Sequence, residues 1–126
     1  MKPLKLIWTS RPITKKNNPQ IKYYGGKSIL IPSAQFIQYQ DDVGWQIKGK
    51  DKLCISDRVN VQCVYYMPTK GIVDLLNLES ATLDILVHYG VLKDDNSRIV
   101  AGHDGSRVEY DKENPRVEIT ITDLPF

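Results

Sequence analysis

The sequence predicts an α+β fold, a mixed α/β sheet carrying two helices. Three observations lead there. Residues 58–67 alternate, with Val59, Val61, Cys63, Tyr65 and Met67 on one side and Arg58, Asn60, Gln62, Val64 and Tyr66 on the other, which is the period of a strand with one buried face. From Asp74 to about Tyr89 the apolar residues instead recur at helical spacing: Leu75, Leu78, Thr82, Ile85, Leu86 and Tyr89 in one arc, and Leu76, Leu83 and Val87 in the next. Val117, Ile119 and Ile121 then alternate with Glu118, Thr120 and Thr122 as a last strand.

The remaining elements follow in chain order. Leu4, Leu6 and Trp8 mark a short first strand. Residues 10–27 carry Pro12, Pro19 and the Gly25-Gly26 pair and are expected to form a long loop; loops of that length in a small domain are often functional. Pro32-Ser33 opens a helix with Ser33 as N-cap and Phe36, Val43 and Ile47 as its apolar stripe, which Gly49 is expected to end. Pro68 closes the long strand, and Lys70-Gly71 turns into the second helix. Ile99-Val100 and Val108–Tyr110 are expected as short strands, with Asn114-Pro115 as the turn before the last one.

With 126 residues the chain is expected to be a single domain, 1–126, with its own core. No apolar run reaches the roughly 18 residues of a membrane span, and Lys2, Lys5, Arg11 and Pro12 break up the N-terminus where a signal peptide needs an apolar stretch. Cys54 and Cys63 have no metal-type pairing with His88 or His103. They are expected as reduced thiols in a cytoplasmic protein, with Cys63 on the buried side of its strand.

Charge is distributed unevenly. Residues 1–40 hold Lys2, Lys5, Arg11, Lys15, Lys16, Lys22 and Lys27 and no acid, giving +7; the other residues hold ten basic and fifteen acidic groups, giving −5. Such asymmetry points to a polyanion surface on the first segment. There Lys15, Lys16, Lys22 and Lys27 can neutralise phosphates, and Tyr23 and Tyr24 can stack on bases or sugars; as a plain solvated loop the same lysines would serve solubility alone.

The acids lie elsewhere. Asp74 opens the long helix, and Asp94-Asp95 arrives just after its end. Carboxylates gathered at one place suit Mg²⁺-dependent phosphodiester chemistry. Each also has a structural role available, Asp74 as an N-cap favoured by the helix dipole and Asp94-Asp95-Asn96 as a polar turn. A helix of about sixteen residues is roughly 24 Å long, so spacing permits a shared site and does not require one. Glu79 interrupts the apolar arc; it is expected to reach solvent, to pair at an interface, or to approach a metal, in that order. Asp74, Asn77, Ala81, Asp84 and His88 share the opposite face of the helix.

The ordered set Asp74-Leu75-Leu76-Asn77-Leu78, Asp84-Ile85-Leu86, Tyr89-Gly90-Val91-Leu92-Lys93-Asp94-Asp95 and Val117–Thr122 resembles the RusA family of Holliday junction resolvases over about residues 58–123, and more weakly upstream at Asn17-Asn18 and Tyr23-Tyr24. The resemblance implies a small homodimeric domain, often of phage or prophage origin. It implies an Mg²⁺-dependent endodeoxyribonuclease, for which Mn²⁺ is a possible alternative ion, that resolves four-way junction DNA in recombination and repair. Carried over by position, Asp74, Asp94 and Asp95 are the expected catalytic, metal-holding acids, and Asn77, which matches the motif's asparagine, is an expected catalytic residue. Lys70, Lys93 and Arg98 join Lys15, Lys16, Lys22, Tyr23, Tyr24 and Lys27 as expected DNA contacts. Two positions depart from the family pattern: Leu76 stands where a second aspartate is expected, and Ser80 where a lysine is. Leucine offers a hard cation no ligand, so the alternative is a catalytically weak or inactive junction-binding or phage regulatory protein on the same scaffold.

Overall fold

In the computed structural model, which describes residues 1–15, 20–31 and 33–126, strand β4 (Val59–Met67) is the axis of the molecule. Strands β1 (Leu4–Trp8) and β7 (Arg116–Asp123) lie to one side of it, both in antiparallel pairings. On the other side β5 (Val100–Gly102) and β6 (Arg107–Tyr110) run parallel to β4 on successive stretches of its edge. The interval between them is closed by side chains: the Cys63 N–H donates to Ser106 Oγ at 3.0 Å and Gln62 Nε2 to the Gly105 carbonyl at 3.3 Å. A parallel neighbour requires a crossover, and helix α2 (Leu75–His88) provides it.

One face of the sheet is dry. Register places Leu6 opposite Ile119 and Trp8 opposite Val117, and Cys63 and Tyr65 opposite the same two residues from β4. All of these are buried, together with Phe36, Tyr39 and Val43 of helix α1 (Ala34–Gln46) and Leu78, Ala81, Ile85 and Leu86 of α2. Both helices therefore cover that face and form one core with it. The predicted alternation of β4 holds at every odd position from Val59 to Met67; Val64, on the opposite face, is buried as well.

The helix ends are set by local chemistry. Ser33 caps α1 by accepting from the Phe36 N–H at 3.1 Å. The helix stops at Gln46, earlier than Gly49 would have placed its end: Ile47 turns extended and buries its side chain, and Gly49 instead begins a short 3₁₀ turn, Gly49–Asp51. Gly44 lets the two helices meet, because a Cβ there would collide with the Tyr89 ring, whose hydroxyl donates to the Gln40 carbonyl at 3.0 Å. In α2 the Thr82 hydroxyl donates to the Leu78 carbonyl at 3.0 Å. The Tyr65 hydroxyl, 2.7 Å from Thr82 Oγ1, must then be the donor of that second bond. Thr82→Val keeps the shape and strands the buried Tyr65 hydroxyl, which costs about 1–3 kcal/mol; thermal melts should show Thr82→Ser close to the parent and Thr82→Val several degrees below it.

Two further expectations are corrected. In α2 the second apolar arc is only partly covered, with Leu83 and Val87 half-buried and Leu76 65% exposed; Leu75 of the first arc is also only half-buried, while Ala81, placed on the polar side, is buried. Residues 10–27 do not form one long loop. Strands β2 (Gln20–Tyr24) and β3 (Lys27–Ile31) make a separate antiparallel hairpin. Its two-residue turn is Gly25-Gly26, with both glycines at positive φ, as a tight hairpin turn of this hand demands.

Candidate functional site

The polar face of α2 organises the acids. Asp74 is the N-cap, its Oδ1 accepting from the Leu76 N–H at 2.9 Å. Asn77, Asp84 and His88 follow at steps of three, seven and four residues, which keeps them on one stripe of the helix. Two clefts open along this stripe. The first, at the N-terminal end, is lined by Asp74, Asn77 and Gly71 together with Arg11, Thr14 and Gln35. The second, near the C-terminal end, is lined by Asp84, His88, Asp94, Asp95, Lys15 and Gln40. The segment Arg11–Lys15 runs past both.

The structure thus brings Asp94 and Asp95 together with Asp84 and His88, and places Asp74 and Asn77 in the neighbouring cleft. Asp74 and Asp84 are ten residues apart on the helix, about 15 Å. Asp94 is held in a tight polar turn: its Oδ1 accepts from the Asp95 N–H at 2.7 Å and its Oδ2 from Asn96 Nδ2 at 3.1 Å. Those donors, the Asp95 amide first, lower its pKa and keep it charged. The turn is pinned to the core by Val91 and Leu92, which are buried, and by the Lys93 N–H donating to the Ile55 carbonyl at 2.9 Å.

Among the described residues no three His, Cys, Asp or Glu side chains are gathered closely enough to enclose a metal ion. The donor chemistry of the second cleft nevertheless fits a hard divalent cation. Three carboxylates line it, and Mg²⁺ is commonly held by one or two carboxylates, substrate phosphate and water rather than by an all-protein cage.

The expected DNA contacts divide into three groups. Lys22, Tyr23, Tyr24 and Lys27 are on the hairpin and are exposed; Lys70, Lys93 and Arg98 are exposed on the body, with the Lys70 ammonium 5.2 Å from the centre of the Tyr110 ring. Lys15 is different, since its ammonium is 2.6 Å from Asp84 Oδ2 and 5.8 Å from the centre of the Phe36 ring, which makes it part of the second cleft. Lys16, with Asn17 and Asn18, lies outside the described residues.

Glu79 neither reaches solvent nor approaches the acidic clefts. It is buried, and its Oε2 and Oε1 are 2.9 and 3.1 Å from His103 Nδ1. The pair sits over a small apolar hollow lined by Val61, Cys63, Leu83 and Val100, where burial pushes the Cys63 thiol up to about 12 and leaves it inert as a nucleophile. His103 is exposed and Glu79 is buried, so removing the imidazole leaves a buried carboxylate without its partner, which costs more than replacing both groups. His103→Ala should therefore lower the melting temperature, and Glu79→Leu combined with His103→Ala should recover most of the loss. Equal melting of the single and double variants would remove the pairing from the account.

The small mixed sheet with two helices on one face thus carries a carboxylate-lined cleft beside the crossover helix and a basic N-terminal segment. The family profile described as Endodeoxyribonuclease RusA matches residues 10–122, nearly the whole chain. The chain belongs to the RusA family of endodeoxyribonucleases, which act on junction DNA. A search of curated proteins gives no match. Among the described residues no helix is long and apolar enough to cross a membrane.

Proposed function

We propose that this chain is a divalent-metal-dependent, structure-selective endodeoxyribonuclease that nicks four-way DNA junctions as a homodimer. The observation that carries the reading is the meeting of Asp84, Asp94 and Asp95 in one cleft at the end of α2, in a chain of the RusA family. Asp95 and Asp94 would hold Mg²⁺ there, with Asp84 beside them. When bound, the ion lowers the pKa of a water and neutralises charge on the scissile phosphate. Lys15 supplies a cation inside the same cleft. In that role it stands in for the lysine that Ser80 lacks, and it counters the repulsion between the acids and an incoming phosphate.

Asp74 and Asn77 form the other half of the polar stripe. Within one chain they are a helix-length away from Asp95. A two-fold pairing of α2 against its copy in an antiparallel sense would set the N-terminal cleft of one protomer beside the C-terminal cleft of the other. Ile72, well exposed and lining the N-terminal cleft, suits such a seam. Two equivalent sites then match the two symmetric nicks that resolve a junction.

The experiment is cleavage of an end-labelled four-way junction with Mg²⁺, set beside a linear duplex of the same sequence. Paired nicks near the branch point are expected; equal cutting of the duplex would defeat the structural selectivity. Binding measured in EDTA should weaken steeply between low and moderate salt, because lysines that neutralise phosphates release counterions. An affinity indifferent to salt would remove the basic segment from the interface.

A further inference from the structure

The β2–β3 hairpin is built with two unlike faces. Residues directly opposite in an antiparallel pair project to the same side, so the register Lys22↔Ile29 and Tyr24↔Lys27 collects both lysines on one face, together with Tyr24 and Ile29. The register Ile21↔Leu30 and Tyr23↔Ser28 collects Ile21, Tyr23, Leu30 and Ser28 on the other, which carries no charge. Residues 21–30 are exposed throughout. Tyr23 is 77%, Leu30 68% and Ile21 60% exposed, and the hairpin forms a sheet of its own, unpaired with the five-stranded one. An isolated two-stranded ribbon is marginal in water, and three large apolar side chains on one bare face are a contact surface rather than a solvated one.

We propose that this hairpin is a two-faced wedge for branched DNA. Lys22 and Lys27 grip backbone phosphates, while Tyr23, Ile21 and Leu30 on the opposite face stack on the base pair left bare at an open branch point. Charge complementarity selects DNA as the occupant: the first forty residues carry seven cations and no acid. The geometry selects a branch point within that DNA. A linear duplex buries its base-pair faces, whereas an opened four-way junction exposes them, and apolar wedges on a narrow element are a recurrent way of using such a step. The proposal rests on the junction-nuclease reading and adds to it the element that distinguishes a junction from a duplex.

The test uses the full chain in EDTA, which keeps the DNA uncut, and a four-way junction with 2-aminopurine at the branch point beside a duplex with the same label. Wild type is expected to bind the junction in preference to the duplex and to change the branch-point fluorescence. Tyr23→Ala with Leu30→Ala should abolish that change and the junction preference while leaving the salt slope intact. Lys22→Gln with Lys27→Gln should lower the slope of log affinity against log salt by about two per chain and keep the fluorescence change at saturation. Tyr23→Trp should retain the stacking signal.

Junction preference in the wild type with an unchanged signal in the Tyr23 and Leu30 variant overturns the wedge alone. So does a variant that keeps its DNA signal but dissociates from dimer to monomer in sedimentation, which would assign the apolar face to a second copy. A wild type that binds duplex and junction equally overturns the nuclease reading together with the wedge.

Discussion

Asp95→Asn is expected to lower junction nicking by at least ~100-fold, about 3 kcal/mol of transition-state stabilisation, with junction binding in EDTA unchanged. The substitution is nearly isosteric, and the contact that shapes the turn is made by the Asp95 backbone N–H, which remains. A loss of rate is then a loss of charge at the cleft rather than of structure. Asp74→Asn makes a sharper companion. Asparagine caps a helix about as well as aspartate, so α2 keeps its start and its bond from the Leu76 N–H, while any part Asp74 plays in holding a cation is removed. If Asp95→Asn nicks at the parental rate, the assigned site is wrong; if only Asp74→Asn does, the catalytic set is confined to the second cleft and the across-dimer completion fails.

Leu76→Asp is expected to act in the opposite direction and raise metal-dependent nicking, by up to ~100-fold if a missing ligand is what limits the rate. Leu76 occupies the place of an aspartate in the family pattern, and it is exposed near Asp74 at the start of α2. An acid there loses no core contact. It also gains about 0.3–1 kcal/mol from the helix dipole, so the variant should fold at least as well as the parent. Rate against Mg²⁺ concentration is the measurement: a gain accompanied by half-saturation at lower Mg²⁺ identifies a restored ligand. A variant with unchanged or lower activity would mean that position 76 faces a protein seam, with Asp84 and Lys15 already completing the site.

How much of this was legible in the sequence differs from element to element. Strand β4 and the last strand were readable because each has one wet and one dry face, so the alternation in the sequence is the alternation in burial. Helix α2 was readable from its spacing and from Asp74 at its head. The hairpin was misread as loop because periodicity reports burial, and residues 21–30 are all exposed; what should have been weighed was Gly25-Gly26 between two five-residue runs, a hairpin signal that needs no core. Gly49 misled for a related reason. Burial of Ile47 ended the helix before a glycine was needed.

The same division runs through the site. By itself the sequence determined the family, the order of the acids, the polar stripe Asp74–Asn77–Asp84–His88 and the separation of basic from acidic segments, since all of these are properties of composition and local spacing. Only the tertiary structure decided which acids share a cleft, because the turn that Val91 and Leu92 anchor in the core puts Asp94 and Asp95 on the lining of the cleft that Asp84 also lines. It also turned Glu79 inward to His103, set Lys15 against Asp84, and sorted the hairpin's lysines from Tyr23 and Leu30. Each of those pairings joins residues distant in the chain or on different strands, and such proximity is fixed by packing and register, which no local pattern encodes.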